Sequence, residues 1–251
     1  VACAAVMVLI NPVAGCFALL AEVLLWAFLS RRGQQARWGD SRRGLYEALI
    51  RWSLIRLDGR PMSARNWRPH LLTFVVDPVE ELDLIRFGDW FSQGRGVVTV
   101  CNLVIGDLES SEIDLDAQRD RIQSVVNAEG IVVFPEVDAV RTVVDGIVDV
   151  AQANGMAGMA SNTVLLGWPE STVLRADFLR VMRRLERLNK SFVLGRVQPK
   201  HLLPRDEPMI HVWWGGLERN GDLLLLLAHL LHANSQWRGA TIRVMSIAST
   251  E

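Results

Sequence analysis

The sequence predicts an α/β fold: a parallel sheet with helices on both faces, following the end of a hydrophobic helical segment and followed by a second, cut-short repeat. Three observations carry this expectation. Residues 1–29 hold a single charged side chain, Glu22. From Leu71 onward, short apolar runs rich in β-branched residues alternate with stretches whose apolar residues recur at helical spacing. Near Met209 the alternation starts again, and it ends at Glu251 after strand, helix, strand.

The chain has 251 residues, half of them apolar, with 27 basic and 28 acidic side chains and a formal net charge of −1. That length suits one large domain or two small ones. The balanced charge gives no global attraction to nucleic acid or acidic ligands. Cys3 and Cys16 fall in the apolar leader and Cys101 in an expected strand. Scattered thiols without a CxxC pair fit a reducing compartment. The chain opens on Val1 and its second repeat stops early, so we expect a piece of a longer protein.

Residues 1–29 read as the end of a transmembrane domain, because roughly twenty apolar residues cross a hydrocarbon core about 30 Å thick. Asn11-Pro12 interrupts the run, giving the tail of one helix over 1–10 and a second helix over 13–29. Arg31, Arg32, Arg37, Arg42, Arg43 and Arg51 follow, and basic residues beside a span mark its cytoplasmic side. A signal peptide carries positive charge ahead of its apolar core, not behind it. A buried pair of core helices is the remaining rival. Glu22 is costly against lipid and is expected to face a partner helix, water or another subunit.

Residues 30–65 form a connector. Leu45, Leu49, Trp52 and Ile55 recur at helical spacing, with Arg42, Arg43, Arg51 and Arg56 between them. Such a helix either lies on a membrane surface with its arginines near anionic headgroups or packs on the domain that follows.

The α/β part then unfolds in order. Leu71 to Val76 is a continuous apolar run, as in a strand buried on both faces. Asp77-Pro78 reads as a helix N-cap and first helical residue, with Glu80 and Glu81 in the first turn. That helix reaches about Phe91, and Gln93-Gly94-Arg95-Gly96 turns into a strand over Val97 to Ile105. Leu115, Ile122, Val125 and Val126 outline a helix closed by Gly130, and Ile131 to Phe134 a strand. Val140, Val144, Ile147 and Ala151 mark a helix ending near Gly155, before a strand over Thr163 to Leu166. Leu174, Phe178, Met182, Leu185 and Leu188 form the apolar stripe of a long helix, before a strand over Phe192 to Val197. The second repeat has strands over Met209 to Trp214 and Ala240 to Ile247, with a helix over Asp222 to Ala233.

The chemical candidates are few. No GxxxxGK[ST], GxGxxG, HExxH or GxSxG string occurs, so the familiar phosphate, zinc and serine-nucleophile patterns are missing. His229 and His232 share a helix face, but no carboxylate or cysteine stands at ligand spacing, and no metal site is assigned. Asp114, Asp116 and Asp120 fit a helix start, where the dipole favours anions. Arg175, Arg180, Arg183, Arg184 and Arg187 make one helix basic, either as a solvated face or as a dock for an acidic partner or anionic lipid. Trp213 and Trp214 are adjacent in a strand, so one is expected in the core and the other against a helix. Parallel sheets bind ligands beyond the carboxyl ends of their strands, here at Val76-Asp77, Gly106-Asp107 and Gly167-Trp168-Pro169.

Three strings go further. They are Trp38-Gly39-Asp40-Ser41-Arg42-Arg43-Gly44 with Asn66-Trp67-Arg68-Pro69-His70-Leu71-Leu72; Asn162-Thr163-Val164-Leu165-Leu166-Gly167-Trp168-Pro169; and Ile210-His211-Val212-Trp213-Trp214 with Trp237-Arg238 and Ile242-Arg243-Val244. In order and spacing they resemble the C-terminal region of the cation-chloride cotransporter family, over essentially the whole chain. The second string leans toward its potassium-chloride branch.

The resemblance implies a secondary-active symporter, not an enzyme, moving chloride with potassium, with or without sodium. It implies a multi-pass membrane protein in contact with lipid, residues 30–251 cytoplasmic, and no nucleic-acid partner. Residues 66–205 and 206–251 would be universal-stress-protein-like halves serving homodimerisation and regulation. The ion-binding helices of such transporters lie earlier in the chain, so no residue here is assigned to ion coordination. No cofactor is required, although some relatives hold ATP or ADP in the first half. The matching surface is Val76, Asp77, Arg95, Gly167 and Trp168. His211 stands where the family carries aspartate. The alternative is a membrane-tethered nucleotide-sensing module of the same fold.

Overall fold

The computed structural model describes residues 12–31, 41–58, 60, 67–107, 113–157, 159–169, 172–197, 208–214 and 218–246. The chain divides into two compact units, Val1–Ile55 and Arg56–Glu251. The helix expected over 1–10 and the junction near residue 205 lie outside the described residues.

Helix α1 spans Pro12–Arg31, beginning on proline, whose missing N–H costs nothing at a first helical position. Val13, Phe17, Leu20, Val23 and Leu24 are all exposed. Among the described residues no helix is long and apolar enough to cross a membrane, so the span expected over 13–29 is not established. Helix α2 spans Ser41–Leu57, and its Leu45, Leu49, Ile50 and Ile55 are exposed.

The larger unit is built on strands β1 (Leu71–Phe74), β2 (Val98–Ile105), β3 (Phe134–Val140), β4 (Thr163–Gly167) and β5 (Ser191–Gly195). They form one sheet in the order β3-β2-β1-β4-β5, parallel throughout. Its helices are α3 (Leu82–Ser92), α4 (Leu115–Ala128), α5 (Val143–Ala153) and α6 (Thr172–Arg187). Side chains alternate across a strand, and the core follows that alternation. Leu71 and Val75 pack with Leu84, Ile85, Ile122 and Val126 of α3 and α4. Leu72 and Phe74 pack with Ile147, Ala151, Val181 and Leu185 of α5 and α6. Both faces of β1 are thus covered, which is why its sequence is apolar at every position but Thr73.

Strand β6 (Met209–Trp213), helix α7 (Glu218–Ala233), a 3-10 turn (Ser235–Trp237) and strand β7 (Thr241–Met245) complete the unit. β6 and β7 pair in parallel as a separate two-stranded sheet. Helix α7 rests on α3, where Leu227 and Leu230 join the first core cluster. The seam is fastened by the edge-to-face pair Trp90–Trp237 at 5.7 Å and by the Gln93 Nε2–H donating to the Leu230 carbonyl at 2.9 Å.

Three local expectations need correction. β3 runs over 134–140 rather than 131–134, because an edge strand does not need an apolar run: Val132 is exposed, Glu136 and Asp138 lie within it, and only Val137 is buried. Asp77 does not cap a helix. Its Oδ1 accepts from the amides of Val79 (2.8 Å) and Glu80 (3.3 Å), closing a side-chain turn, and α3 begins five residues later. Neither tryptophan of the 213–214 pair fills the core. Trp213 is 59% exposed, while Trp214 lies past the strand against Gly221, where a β-carbon would stand 2.2 Å from its ring.

Candidate functional site

In the strand order β3-β2-β1-β4-β5 the connection reverses between β1 and β4, the topological switch point where open parallel sheets form a crevice. A cavity of about 690 Å3 opens there. One wall comes from the end of β1 and the start of α3: Val76, Asp77, Glu80, Glu81, Asp83 and Leu84. The other comes from the ends of β4 and β5 and the first turn of α6: Gly167, Trp168, Arg175, Gly195, Arg196 and Val197.

The first wall is held rigidly. Asn102, buried in β2, donates from Nδ2 to the carbonyls of Val75 (3.0 Å) and Val76 (2.8 Å), groups that no neighbouring strand satisfies. The Glu81 carboxylate folds back to accept from the amides of Val76 and Asp77. Arg121 reaches from α4 to Asp77 at 2.5 Å. The Val79 amide first, then the Glu80 amide and the Arg121 guanidinium, hold the Asp77 carboxyl below its usual range. Asp83 is paired with Arg86 at 2.8 Å.

Close packing explains the glycines of the second wall. A β-carbon on Gly167 would stand 3.0 Å from Glu81 Oε1, and one on Gly195 would stand 2.9 Å from Leu84 Cδ1. The Trp168 amide donates to the Gly195 carbonyl at 2.8 Å, fixing the turn, while the Trp168 side chain is 45% exposed. Arg175 and Arg196 have no acidic partner among the described residues.

Four of the five residues singled out from the sequence therefore line one cavity: Val76, Asp77, Gly167 and Trp168. Arg95 does not. It lies in the turn before β2, and because all five strands run parallel that turn sits at the amino edge of the sheet, opposite the crevice. Arg175 and Arg196 supply positive charge at the crevice instead. Position after a strand pointed to Arg196, and position one turn into the helix after Gly167-Trp168-Pro169 pointed to Arg175; the reading of α6 as a uniform basic face hid the latter.

The amino edge holds a second polar network. Asn162 Oδ1 accepts from the His70 amide at 3.0 Å, and its Nδ2 donates to the Arg68 carbonyl at 2.7 Å. The Val97 amide donates to His70 Nδ1 at 3.2 Å, and burial lowers the His70 pKa. Lys190 Nζ donates to the Ser161 hydroxyl at 3.0 Å. Two of the strings that carry the family resemblance, 66–72 and 162–169, thus meet here across 94 residues of sequence.

Other candidates resolve into structure. Asp114 caps α4 by accepting from the Ala117 amide at 2.9 Å. Arg184 pairs with Asp145 of α5 at 2.6 Å and Arg180 with Asp177 at 3.3 Å, leaving Arg183 and Arg187 exposed. A second cavity of about 640 Å3 lies beside β3 and α5, lined by Glu136, Asp138, Arg141, Asp145 and Asp149 among others. Burial first, then Asp138 and Glu136, push the nearby Cys101 thiol far up, so it offers no thiolate. Among the described residues no group of His, Cys, Asp or Glu is arranged to hold a metal ion.

No family model matches the chain. Among solved structures, it is similar to the crystal structure of the cytoplasmic domain of a prokaryotic cation chloride cotransporter. The identity is 24%, the match covers 73% of this chain and 68% of that one, and the TM-score is 0.53. At that identity the likeness is one of fold.

Proposed function

We propose that this chain is the C-terminal part of a secondary-active cation-chloride symporter, and that its α/β unit regulates transport from the cytoplasmic side. The observation that carries this reading is Asn162, which ties the 66–72 string to the 162–169 string at the amino edge of the sheet. Two of the resembling segments are thus joined within this fold, and the fold is similar to that of a cotransporter cytoplasmic domain. In this reading the exposed apolar helix α1 belongs with the membrane part, chloride travels with potassium, with or without sodium, and the protein is a homodimer. Residues of this chain coordinate no transported ion. Rubidium uptake by the full-length parent in liposomes tests the proposal: uptake that needs chloride supports it, and equal uptake when gluconate replaces chloride refutes it.

A second reading concerns the crevice, where Val76, Asp77, Gly167 and Trp168 converge. The residues present fit ATP or ADP as a regulatory ligand. The acceptor-rich wall of Asp77 and Glu80 suits amino and hydroxyl groups of a nucleoside, and the exposed Trp168 ring suits a planar base. Arg175 and Arg196 suit phosphate oxygens. The nucleotide would supply no chemistry; bound or absent, it would bias the conformation of a domain that the transporter feels.

A further inference from the structure

We infer that Arg175 and Arg196 form a two-guanidinium anion clamp at the mouth of the switch-point crevice, selecting ligands that carry phosphate. The inference rests on the crevice being a nucleotide site, and it assigns the phosphate end to residues outside the resemblance. Charge distribution points to it. Of the four carboxylates on the β1–α3 wall, Asp77 is engaged by Arg121, Asp83 by Arg86, and Glu81 by two backbone amides. Only Glu80 has no partner for its carboxylate among the described residues.

On the opposite wall both guanidiniums are uncompensated among the described residues, although Arg86, Arg121, Arg180 and Arg184 each hold a carboxylate. The crevice is therefore polarised, with acceptors on one side and exposed cations on the other. Arg175 also sits in the first turn of the sixteen-residue α6, whose dipole favours an anion at that end. A guanidinium keeps its charge at any physiological pH and meets phosphate oxygens through paired donors. Trp168, on the same wall as the two arginines, offers an exposed ring against which a planar base could stack.

Calorimetric titration of the 251-residue chain with adenosine, ADP and pyrophosphate, repeated on the Arg175→Gln/Arg196→Gln double variant, tests the assignment. The clamp predicts that ADP binds roughly tenfold or more tightly than adenosine, that added salt weakens the difference, and that the double variant abolishes it while still binding adenosine. Equal binding of ADP and adenosine by the unaltered chain, or an undiminished ADP preference in the double variant, overturns the clamp and leaves the nucleotide reading standing. Pyrophosphate binding lost in the double variant, without any adenosine or ADP binding, supports the clamp and removes the nucleotide reading. No binding of any of the three overturns both. Unchanged circular dichroism and melting of the variant show that it has folded.

Discussion

Thr73, in the central strand, has a fully buried hydroxyl with no hydrogen-bond partner among the described residues. Gly88 of α3 crosses directly above it, at 3.1 Å from where a β-carbon would lie, so no side chain is available there to answer the hydroxyl. A buried polar group without a partner is a net cost. Thr73→Val is therefore expected to stabilise the α/β unit by about 1 kcal/mol, read as a higher urea midpoint with an unchanged slope. His70 gives the opposite kind of test. Burial lowers its pKa, so only well above the ordinary imidazole range are the folded and unfolded groups both neutral. As the pH falls below 6.5, the unfolded chain takes up a proton that the folded chain resists, and stability declines until the folded group also titrates. His70→Asn, which keeps an acceptor near Nδ1 for the Val97 amide, is expected to flatten the melting temperature between pH 7 and 5.5.

Helix α3 does two jobs: one face packs on the sheet and the other receives α7. The joint depends on Trp90, Trp237 and the Gln93–Leu230 hydrogen bond. A two-stranded parallel sheet has too little buried surface to stand alone, so β6, α7 and β7 should be the first part of the unit to open. Trp237→Ala is expected to cost that part about 2 kcal/mol. In hydrogen exchange, the amides of β6 and β7 should lose protection while those of β1, β2 and β4 keep theirs; equal loss in both sheets contradicts this joint.

The strands and helices that bury a full face were largely legible from the sequence, since periodicity reports burial directly: β1, β2, β4, α4 and α6 lie where the apolar pattern put them, while α3 starts later than Asp77-Pro78 and Val140, read into α5, ends β3. The edge strand β3 was not, because Glu136 and Asp138 break its run. The crevice was legible in part. Val76, Asp77, Gly167 and Trp168 follow from the rule that parallel sheets bind at strand carboxyl ends. Arg95 was misplaced because resemblance, not strand direction, chose it. Arg175 and Arg196 carried positional signals in the sequence, but only the fold brings the two onto one wall.

The whole molecule joins a helix with exposed apolar side chains, an arginine-bearing connector and a doubly covered parallel sheet whose crevice is polarised. In the proposed reading, that combination is a regulatory unit attached to a transporter. Chloride-dependent rubidium uptake tests the claim most directly when the full-length parent is measured in liposomes beside a form ending at residue 65. The account predicts that both forms require chloride and that removing residues 66–251 changes the transport rate severalfold. Uptake that ignores chloride in the intact protein, or a rate untouched by the deletion, contradicts it.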